Sequence, residues 1–256
     1  MSIKYVDAHC HPIKQYYKDN YQSIEKAYSK GVKVMMITGC NLAENEEVIK
    51  ICSHFDYTFP VIGIHPTEVN GATDGINLKK QITKEVKGIG EIGLDYYWKD
   101  KTPELQKESL ISQIKVAEKF NLPVVIHMRD AYEDLYDILK KFPNVKFMIH
   151  TYSGNLDWAK KFYELGCYFS FSGVSTYKNA KETIEVLDWL PVDRILTETD
   201  APYLSPAAKR GNINYSNYVI FTTHFIAGIK KMPIEKFADQ VLKNAKGLFK
   251  LDVSRK

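Results

Sequence analysis

The sequence predicts a (β/α)8 barrel, in which eight parallel strands form a closed sheet and a helix follows each strand. The chain has 256 residues, close to the roughly 250 that are typical of such a barrel. Eight short apolar runs alternate with longer helical patterns, as in repeated βαβ units. No linker, low-complexity tract or change in composition divides the chain, so we expect a single domain spanning residues 1–256.

The predicted strands are short runs rich in β-branched and other apolar residues. Several of them, such as VKVMMITG, VVIHM and VKFMIH, are apolar on both sides, which is typical of a sheet buried on both faces. In chain order the strands are Tyr5–Cys10, Val32–Thr38, Thr58–Ile64, Gly88–Ile92, Pro123–His127, Lys146–His150, Cys167–Ser172 and Arg194–Glu198. An open, doubly wound sheet is the alternative arrangement of the same elements.

The clearest helix is predicted at Pro103–Phe120. Pro103 suits a first helical turn, and apolar residues recur after it at helical spacing. After Pro206 the sequence predicts a loop, an amphipathic helix near Asn217–Lys230, and two short closing helices that end at Phe249.

Net charge gives little information about function. The chain has 35 Lys and Arg against 31 Asp and Glu, and the resulting net charge is +4. Because the lysines are scattered rather than clustered, composition alone does not indicate a nucleic-acid-binding protein. The four cysteines lack the paired spacing of a zinc knuckle, so we expect reduced thiols.

Membrane and secretory signals are missing from the sequence. It contains no apolar run of about 18 residues, so we expect no membrane span. The first residues, MSIKYVDAHCHP, lack the apolar region of a secretory signal, so we expect a cytoplasmic protein. Nothing in the sequence implies an obligate protein partner.

Five of the seven histidines fall near the carboxyl ends of predicted strands, where a parallel barrel builds its active site. His9 and His11 are two residues apart, so on an extended chain both side chains point to the same face. Two imidazoles on one face can share a metal ion. A single histidine such as His127 or His150 is ambiguous, but these two end successive strands.

Two carboxylates occupy comparable positions. Glu91 ends the predicted fourth strand in GIGEIGLDY, and a buried carboxylate needs a partner, either a divalent cation or a Lys or Arg from an adjacent strand. Asp200 follows the eighth strand in ILTETDAPYL and could bind a metal or accept a proton from water. The alternative is that Asp200 or Glu198 caps the next helix.

Four imidazoles and two carboxylates form the predicted ligand set. Its members are His9, His11, Glu91, His127, His150 and Asp200. Because a catalytic zinc ion uses three protein ligands, this larger set matches a two-metal site that a carboxylate bridges. We therefore expect two divalent metal ions per chain, and nitrogen and oxygen donors suit Zn²⁺, Mn²⁺ or Mg²⁺.

Stretches along almost the whole chain resemble motifs of the TatD family of metal-dependent deoxyribonucleases, a branch of the amidohydrolase superfamily. They are DAHCH at 7–11, GIHP at 63–66, GEIGLDYY at 90–97, PVVIHMRDA at 123–131, HTYSG at 150–154, SFSG at 170–173, ETDAPYLSP at 198–206 and NAKGLF at 244–249. Their order and combination are highly specific, whereas H-x-H alone is shared with other phosphoesterase barrels.

The resemblance implies both a ligand arrangement and an activity. The two histidines of the first strand and Asp200 would hold one metal ion, the histidines of the fifth and sixth strands would hold the other, and Glu91 would bridge them. The implied reaction is hydrolysis of DNA phosphodiester bonds, at single-stranded ends, by a water that the two metal ions activate. Glu91 and Asp200 are the predicted catalytic residues.

Three further residues are predicted to bind the substrate. His65, in GIHP, corresponds to a family histidine near the substrate, although a packing role is an alternative. Arg129 could bind a phosphate through two hydrogen bonds, or form an ion pair with Asp130 or Asp134. Tyr203 lies on the loop after the eighth strand, where it could stack on an unpaired base.

Other classes of protein remain as alternatives. A hydrolase of the same superfamily could act on a small amide, lactone or phosphoester, although many such relatives place a carboxylated lysine on the fourth strand, where this chain has Glu91. A phosphoesterase barrel of the polymerase and histidinol-phosphatase type would need more histidine ligands than this sequence supplies. A noncatalytic nucleic-acid binder would tolerate loss of ligands, yet all six are present.

Overall fold

Eight parallel strands form one sheet in chain order, which confirms the predicted (β/α)8 barrel. The structure, a computed structural model, describes residues 3–252. The strands are β1 (Tyr5–Cys10), β2 (Val32–Thr38), β3 (Thr58–Ile62), β4 (Gly88–Asp95), β5 (Val124–Arg129), β6 (Phe147–Ile149), β7 (Tyr168–Phe171) and β8 (Ile195–Thr197). Each strand pairs with the next in parallel, unlike an open doubly wound sheet, whose strand order reverses.

The segment after β8 returns to β1 and nearly closes the sheet. The backbone N–H of Asp200 donates to the carbonyl of His9 at 3.0 Å. The buried carboxylate of Asp7 accepts hydrogen bonds from the backbone N–H and the hydroxyl of Thr199, at 2.8 and 2.7 Å. The first strand and the loop after the last strand are therefore joined at His9 and Asp200.

The bounds of several strands differ from the predicted ones, and β4 differs in the most informative way. It continues to Asp95 instead of ending at Ile92, because its last residues pair with β5, with Asp95 opposite Arg129. Glu91 therefore lies inside β4 rather than at its end. The strands β3, β6, β7 and β8 are shorter than predicted, since loops begin where the ladder stops.

Along the described part of the chain, seven α-helices lie between successive strands, and two more follow β8. They are α1 (Asn20–Ser29), α2 (Leu42–Cys52), α3 (Thr73–Lys80), α4 (Pro103–Phe120), α5 (Tyr132–Leu139), α6 (Leu156–Glu164), α7 (Lys181–Trp189), α8 (Val219–Ile229) and α9 (Ile234–Phe249). The predicted bounds of α4 are confirmed, while α8 is shorter than predicted. In residues 3–252, no helix combines the length and the apolar character that crossing a bilayer would require.

The prediction of two short closing helices is wrong. The segment forms the single helix α9, because Phe237, Val241, Ala245 and Leu248 recur at helical spacing and build one continuous buried face. This face packs against both β1 and β8. This helix, together with α8, which contacts the same two strands, therefore covers the seam at which the first and last strands meet.

Two glutamines of α4 hold the backbone of neighbouring strands from outside the barrel. The side-chain amide of Gln106 accepts from the N–H of Asp95 at 2.8 Å and donates to the carbonyl of Asp95 at 2.9 Å. Gln113 does the same for Ile64, at 2.9 and 3.0 Å. Residues seven positions apart lie on one helix face, so α4 fixes the end of β4 and the residue before His65 together.

We predict that Gln106→Ala lowers the free energy of unfolding by at least about 2 kcal/mol, because it leaves a buried backbone N–H and carbonyl without partners. Urea unfolding, followed by circular dichroism, measures the change. Lys115→Ala is the control, since Lys115 is exposed on the same helix and should change stability by less than about 0.5 kcal/mol. Equal midpoints for the two variants would contradict the role assigned to Gln106.

Candidate metal centre

The six predicted ligand residues converge at the carboxyl-terminal mouth of the barrel, although they come from five different parts of the sheet. Their ligand atoms form overlapping groups of three, and within each group all atoms lie within 4.8 Å of one another. One group joins His9, His11 and Asp200, and another joins His9, Glu91 and His150. The structure thus brings together side chains that lie far apart in the sequence.

The first half of the centre contains the two histidines of β1 and Asp200. The Nε2 atoms of His9 and His11 lie 3.0 Å apart, as the alternation of a strand predicts for positions i and i+2. The Oδ1 atom of Asp200 lies 3.5 Å from Nε2 of His9 and 3.3 Å from Nε2 of His11. Two nitrogens and one oxygen therefore face a common point.

The second half of the centre is built around Glu91. Its Oε1 atom lies 2.8 Å from Nδ1 of His127 and 2.7 Å from Nε2 of His150. Its Oε2 atom faces the first half, 3.4 Å from Nε2 of His9 and 3.7 Å from Nε2 of His11. One carboxylate oxygen of Glu91 thus faces each half of the centre.

Each of the four imidazoles is held at its outer nitrogen, which leaves the other nitrogen directed into the centre. Thr38, at the end of β2, holds both histidines of β1: its carbonyl accepts from Nδ1 of His11 at 2.8 Å, and its hydroxyl lies 3.3 Å from Nδ1 of His9. The Oδ2 atom of Asp95 lies 2.8 Å from Nε2 of His127. Such outer partners fix the tautomer and the orientation of a metal-binding histidine.

Glu198 holds the fourth imidazole and anchors the adjacent strand ends. Its Oε1 atom lies 3.4 Å from Nδ1 of His150 and accepts from the backbone N–H of Thr151 at 2.8 Å. Its carboxylate also accepts from the hydroxyls of Thr151 and Ser170. The helix-capping role considered for Glu198 is therefore wrong, because its carboxylate is fully buried and is bound by residues that follow β6 and by Ser170 of β7.

The sequence analysis missed the roles of Thr38, Asp95 and Glu198. The signal available was position, since Asp95 lies within the GEIGLDYY stretch and Glu198 begins ETDAPYLSP. A sequence pattern does not show which way an outer carboxylate points, so it does not separate a ligand from the partner of a ligand.

Asp200 has a left-handed backbone conformation, with φ of 54°. This region is unfavourable for most L-residues but is more accessible to Asp and Asn. The conformation is supported on both sides, because the N–H of Asp200 donates to the carbonyl of His9 and its carbonyl accepts from the N–H of Tyr203 at 2.9 Å. The turn directs the carboxylate towards the histidines instead of into a helix cap.

Both carboxylates of the centre are electrostatically stabilised in their charged forms. Burial by itself would raise the pKa of Glu91, but the neighbouring histidines, His150 foremost, hold that pKa well below its usual range. Burial would also raise the pKa of Asp200, but hydrogen bonds from His11 and His9 outweigh burial and lower that pKa. In return, hydrogen bonding and attraction to Asp200 overcome burial and raise the pKa of His11 to about 9. The centre therefore favours positive charge.

The donor set fits a divalent cation. Within residues 3–252, the ion pairs of Glu91 and Asp200 are all with histidines, so the alternative Lys or Arg partner for Glu91 is not what the structure shows. Imidazole and carboxylate donors suit Zn²⁺, Mn²⁺ or Mg²⁺. The free thiol of Cys40, which the sequence analysis did not place here, lies 3.9 Å from Oε2 of Glu91.

The structure also places the three predicted substrate-binding residues around the mouth. Nε2 of His65 lies 3.6 Å from Oε1 of Glu91, and burial lowers the pKa of His65 to about 4. The side chain of Tyr203 is half exposed and contacts Tyr16 edge to face. Their contribution to substrate binding stays a prediction.

Arg129 does not form the ion pair with Asp134 that was an alternative for it. The Asp134 carboxylate is instead bound by Lys107 at 2.6 Å and by the hydroxyl of Tyr96 at 2.7 Å. The Arg129 guanidinium carbon lies 3.6 Å from the centre of the Tyr97 ring. Arg129 is thus at the mouth, exposed and stacked on an aromatic ring.

Comparisons with known proteins identify the family to which the chain belongs. A sequence model of the family described as TatD related DNase matches residues 6–250. The chain is 36% identical over 253 residues to the uncharacterized metal-dependent hydrolase YabD of Bacillus subtilis, with 96% of this chain and 99% of that protein covered. It is 32% identical over 257 residues to the uncharacterized metal-dependent hydrolase YcfH of Escherichia coli K12, with 98% and 97% covered.

A solved structure shows the same fold. The TatD homologue YjjV of Escherichia coli K12 superposes with a TM-score of 0.91 at 26% identity, over 98% of this chain and all of that chain (100%). The match of the family model extends from the first strand to the end of the last helix and includes all six predicted ligands. The chain therefore belongs to the TatD-related DNase family and is a metal-dependent hydrolase.

Proposed function

We propose that this protein is a deoxyribonuclease that hydrolyses phosphodiester bonds at single-stranded DNA ends, with two divalent metal ions at the mouth of the barrel. The DNase description of the family model supports the class of substrate. The geometry of Glu91 is the observation that carries the two-metal arrangement, since a carboxylate between two metal ions presents one oxygen to each of them.

The proposed ligands follow from the two halves of the centre. His9, His11 and Asp200 would hold one ion, and the two histidines that face Oε1 of Glu91 would hold the other. When bound, two such ions would neutralise charge on a phosphate and lower the pKa of a water between them. The imidazoles, already oriented from behind, would need little rearrangement to bind them.

Asp200 is the proposed proton acceptor. Its side chain is 13% exposed, against 5% for Glu91, so it is the more accessible of the two carboxylates. Because Oδ1 faces the histidines of β1, the second oxygen is the atom at which the proton of an attacking water would be accepted. Glu91, with both oxygens engaged, would act as the bridging ligand.

A hydrolase of a small amide, lactone or phosphoester is the alternative function. The nuclease and the small-substrate hydrolase differ in the contacts that they need outside the metal centre, because a DNA strand is also bound through bases and phosphates away from the scissile bond. A screen of single-stranded oligonucleotides against small esters, lactones and amides, with Mg²⁺, Mn²⁺ or Zn²⁺ added, separates them. Activity on the small substrates alone would favour the alternative.

We predict that Glu91→Gln and Asp200→Asn each lower hydrolysis of a single-stranded oligonucleotide by about 100-fold or more, because even outer partners of metal ligands contribute roughly 10- to 100-fold. Elemental analysis of the purified wild-type protein should find about two metal equivalents per chain, and less metal in Glu91→Gln. Glu85→Gln, an exposed neighbour with 52% of its side chain accessible, is the matched control. Undiminished cleavage by Glu91→Gln would overturn the assignment.

We also predict that Glu198→Gln lowers metal affinity or kcat/KM by roughly 10- to 100-fold, since it removes the negative charge that holds the outer nitrogen of His150. Competition with a chelator measures the affinity, and oligonucleotide hydrolysis measures kcat/KM. The exposed Glu185 supplies a control substitution, Glu185→Gln, that should change neither. If both variants behaved as the wild type does, Glu198 would have no role in orienting His150.

A further inference from the structure

An exposed aromatic pair follows β4 at the mouth of the barrel, beside the metal centre. The side chains of Tyr97 and Trp98 are 51% and 52% exposed. Their rings meet edge to face, with centroids 5.0 Å apart and planes at 89°. Single exposed apolar side chains are common on protein surfaces, but two adjacent large rings at the rim of a catalytic mouth present a substantial apolar surface to a ligand.

A cation lies on this pair. The guanidinium carbon of Arg129 is 3.6 Å from the centre of the Tyr97 ring and 5.8 Å from that of the Trp98 ring. Arg129 is the last residue of β5, two positions after His127, so both side chains leave the same face of the strand. The side chain of Arg129 is thereby directed over the rings on the same side as a proposed metal ligand.

One buried carboxylate connects the aromatic pair to the metal centre. The Oδ1 atom of Asp95 accepts from the backbone N–H groups of Tyr97 and Trp98, both at 3.0 Å, while Oδ2 lies 2.8 Å from Nε2 of His127. Asp95 is only 1% exposed, and Gln106 fixes its backbone. The positions of the rings and of the imidazole are therefore set by the same rigid group.

We propose that Tyr97, Trp98 and Arg129 form a stacking platform for an unpaired nucleobase next to the scissile phosphate. The proposal rests on the proposed function and deepens it, because it names the side chains that would bind an unpaired base of that single-stranded substrate. Aromatic faces and guanidinium planes stack on any base and hardly distinguish among sequences. A base within a duplex is already paired and stacked, so the platform selects strands whose bases are free.

The first test measures binding with hydrolysis suppressed. In EDTA, a single-stranded oligothymidylate should quench the emission of Trp98, one of three tryptophans in the chain, and Trp98→Phe should lose this quenching. Anisotropy of a labelled oligonucleotide should show affinity reduced roughly 5-fold or more in Tyr97→Ala/Trp98→Ala, and near the wild-type value in Trp98→Phe, which keeps an aromatic face.

The matched control is Tyr28→Ala. Tyr28 is 40% exposed and carries the ammonium of Lys33 at 3.4 Å from its ring centre, so its chemistry resembles that of the platform. It lies at the end of α1, just before β2 begins, and therefore on the opposite side of the barrel from the metal centre. This control should bind the oligonucleotide with wild-type affinity.

The second test compares substrates. In Tyr97→Ala/Trp98→Ala, kcat/KM for a single-stranded oligonucleotide should fall at least 5-fold further than kcat/KM for an abasic strand of the same length, which has the same phosphodiesters but no base to stack. Equal losses on both substrates would mean that the substitutions disturb the centre through Asp95, and would overturn the platform. Unchanged oligonucleotide affinity in the double variant would overturn it as well.

The two proposals fail in distinguishable ways. If the wild-type protein cleaves DNA while the double variant binds and cleaves as well as the wild type, the platform is refuted and the nuclease stands. If oligothymidylate quenches Trp98 but no oligonucleotide is hydrolysed with any of the three metal ions, base stacking at the platform stands, while the proposed nuclease activity, and with it the place of the base beside a scissile phosphate, is refuted. Circular dichroism and metal content, measured on every variant, confirm that each one is folded and loaded.

Discussion

The structure of the mouth depends on two carboxylates, one buried and one largely buried, whose pKa values their neighbours hold low. Glu91 and Asp200 lie in a barrel whose walls are apolar, and a charge in such surroundings is costly unless an opposite charge or a hydrogen-bond donor compensates for it. The histidines stabilise the two carboxylates by donating hydrogen bonds to them. A divalent cation would stabilise the two negative charges more strongly. The ligand geometry, the raised pKa of His11 and the outward hydrogen bonds of the imidazoles all follow from this requirement.

The strands of the barrel supply the groups that surround the two carboxylates, and residues behind these groups hold them in place. The strands bring donors from distant parts of the sequence to one rim, as the carboxyl ends of parallel strands do. Behind them, Thr38 fixes two imidazoles and Asp95 and Glu198 fix one each, and these three residues are buried. Further out, Gln106 fixes the backbone of Asp95. Each of these groups restricts the movement of the group that it contacts nearer the metal centre, as a preorganised site requires.

Much of this arrangement could be predicted from the sequence, because strands and ligands leave periodic or positional signals. Alternation places His9 and His11 on one face, and Pro103 marks where α4 begins. The extension of β4 to Asp95 could not be predicted in this way, since it depends on pairing with β5. The same applies to Glu198 and Arg129, whose partners lie on other elements: a short sequence pattern carries no information about which distant group a side chain meets.

The seam between the first strand and the loop after the last one has a consequence for how the protein is made. His9 and His11 leave the ribosome early, whereas Asp200, which faces them across the seam, is synthesised after all eight strands. A nascent chain therefore carries an incomplete half-centre through most of its synthesis, and α9, which covers the seam, follows later still. Domains fold largely as units during translation. Under the proposed arrangement, capture of a cation by this half of the centre would be a late event, coincident with closure of the ring, and truncated chains would retain the histidines but lack the carboxylate of Asp200.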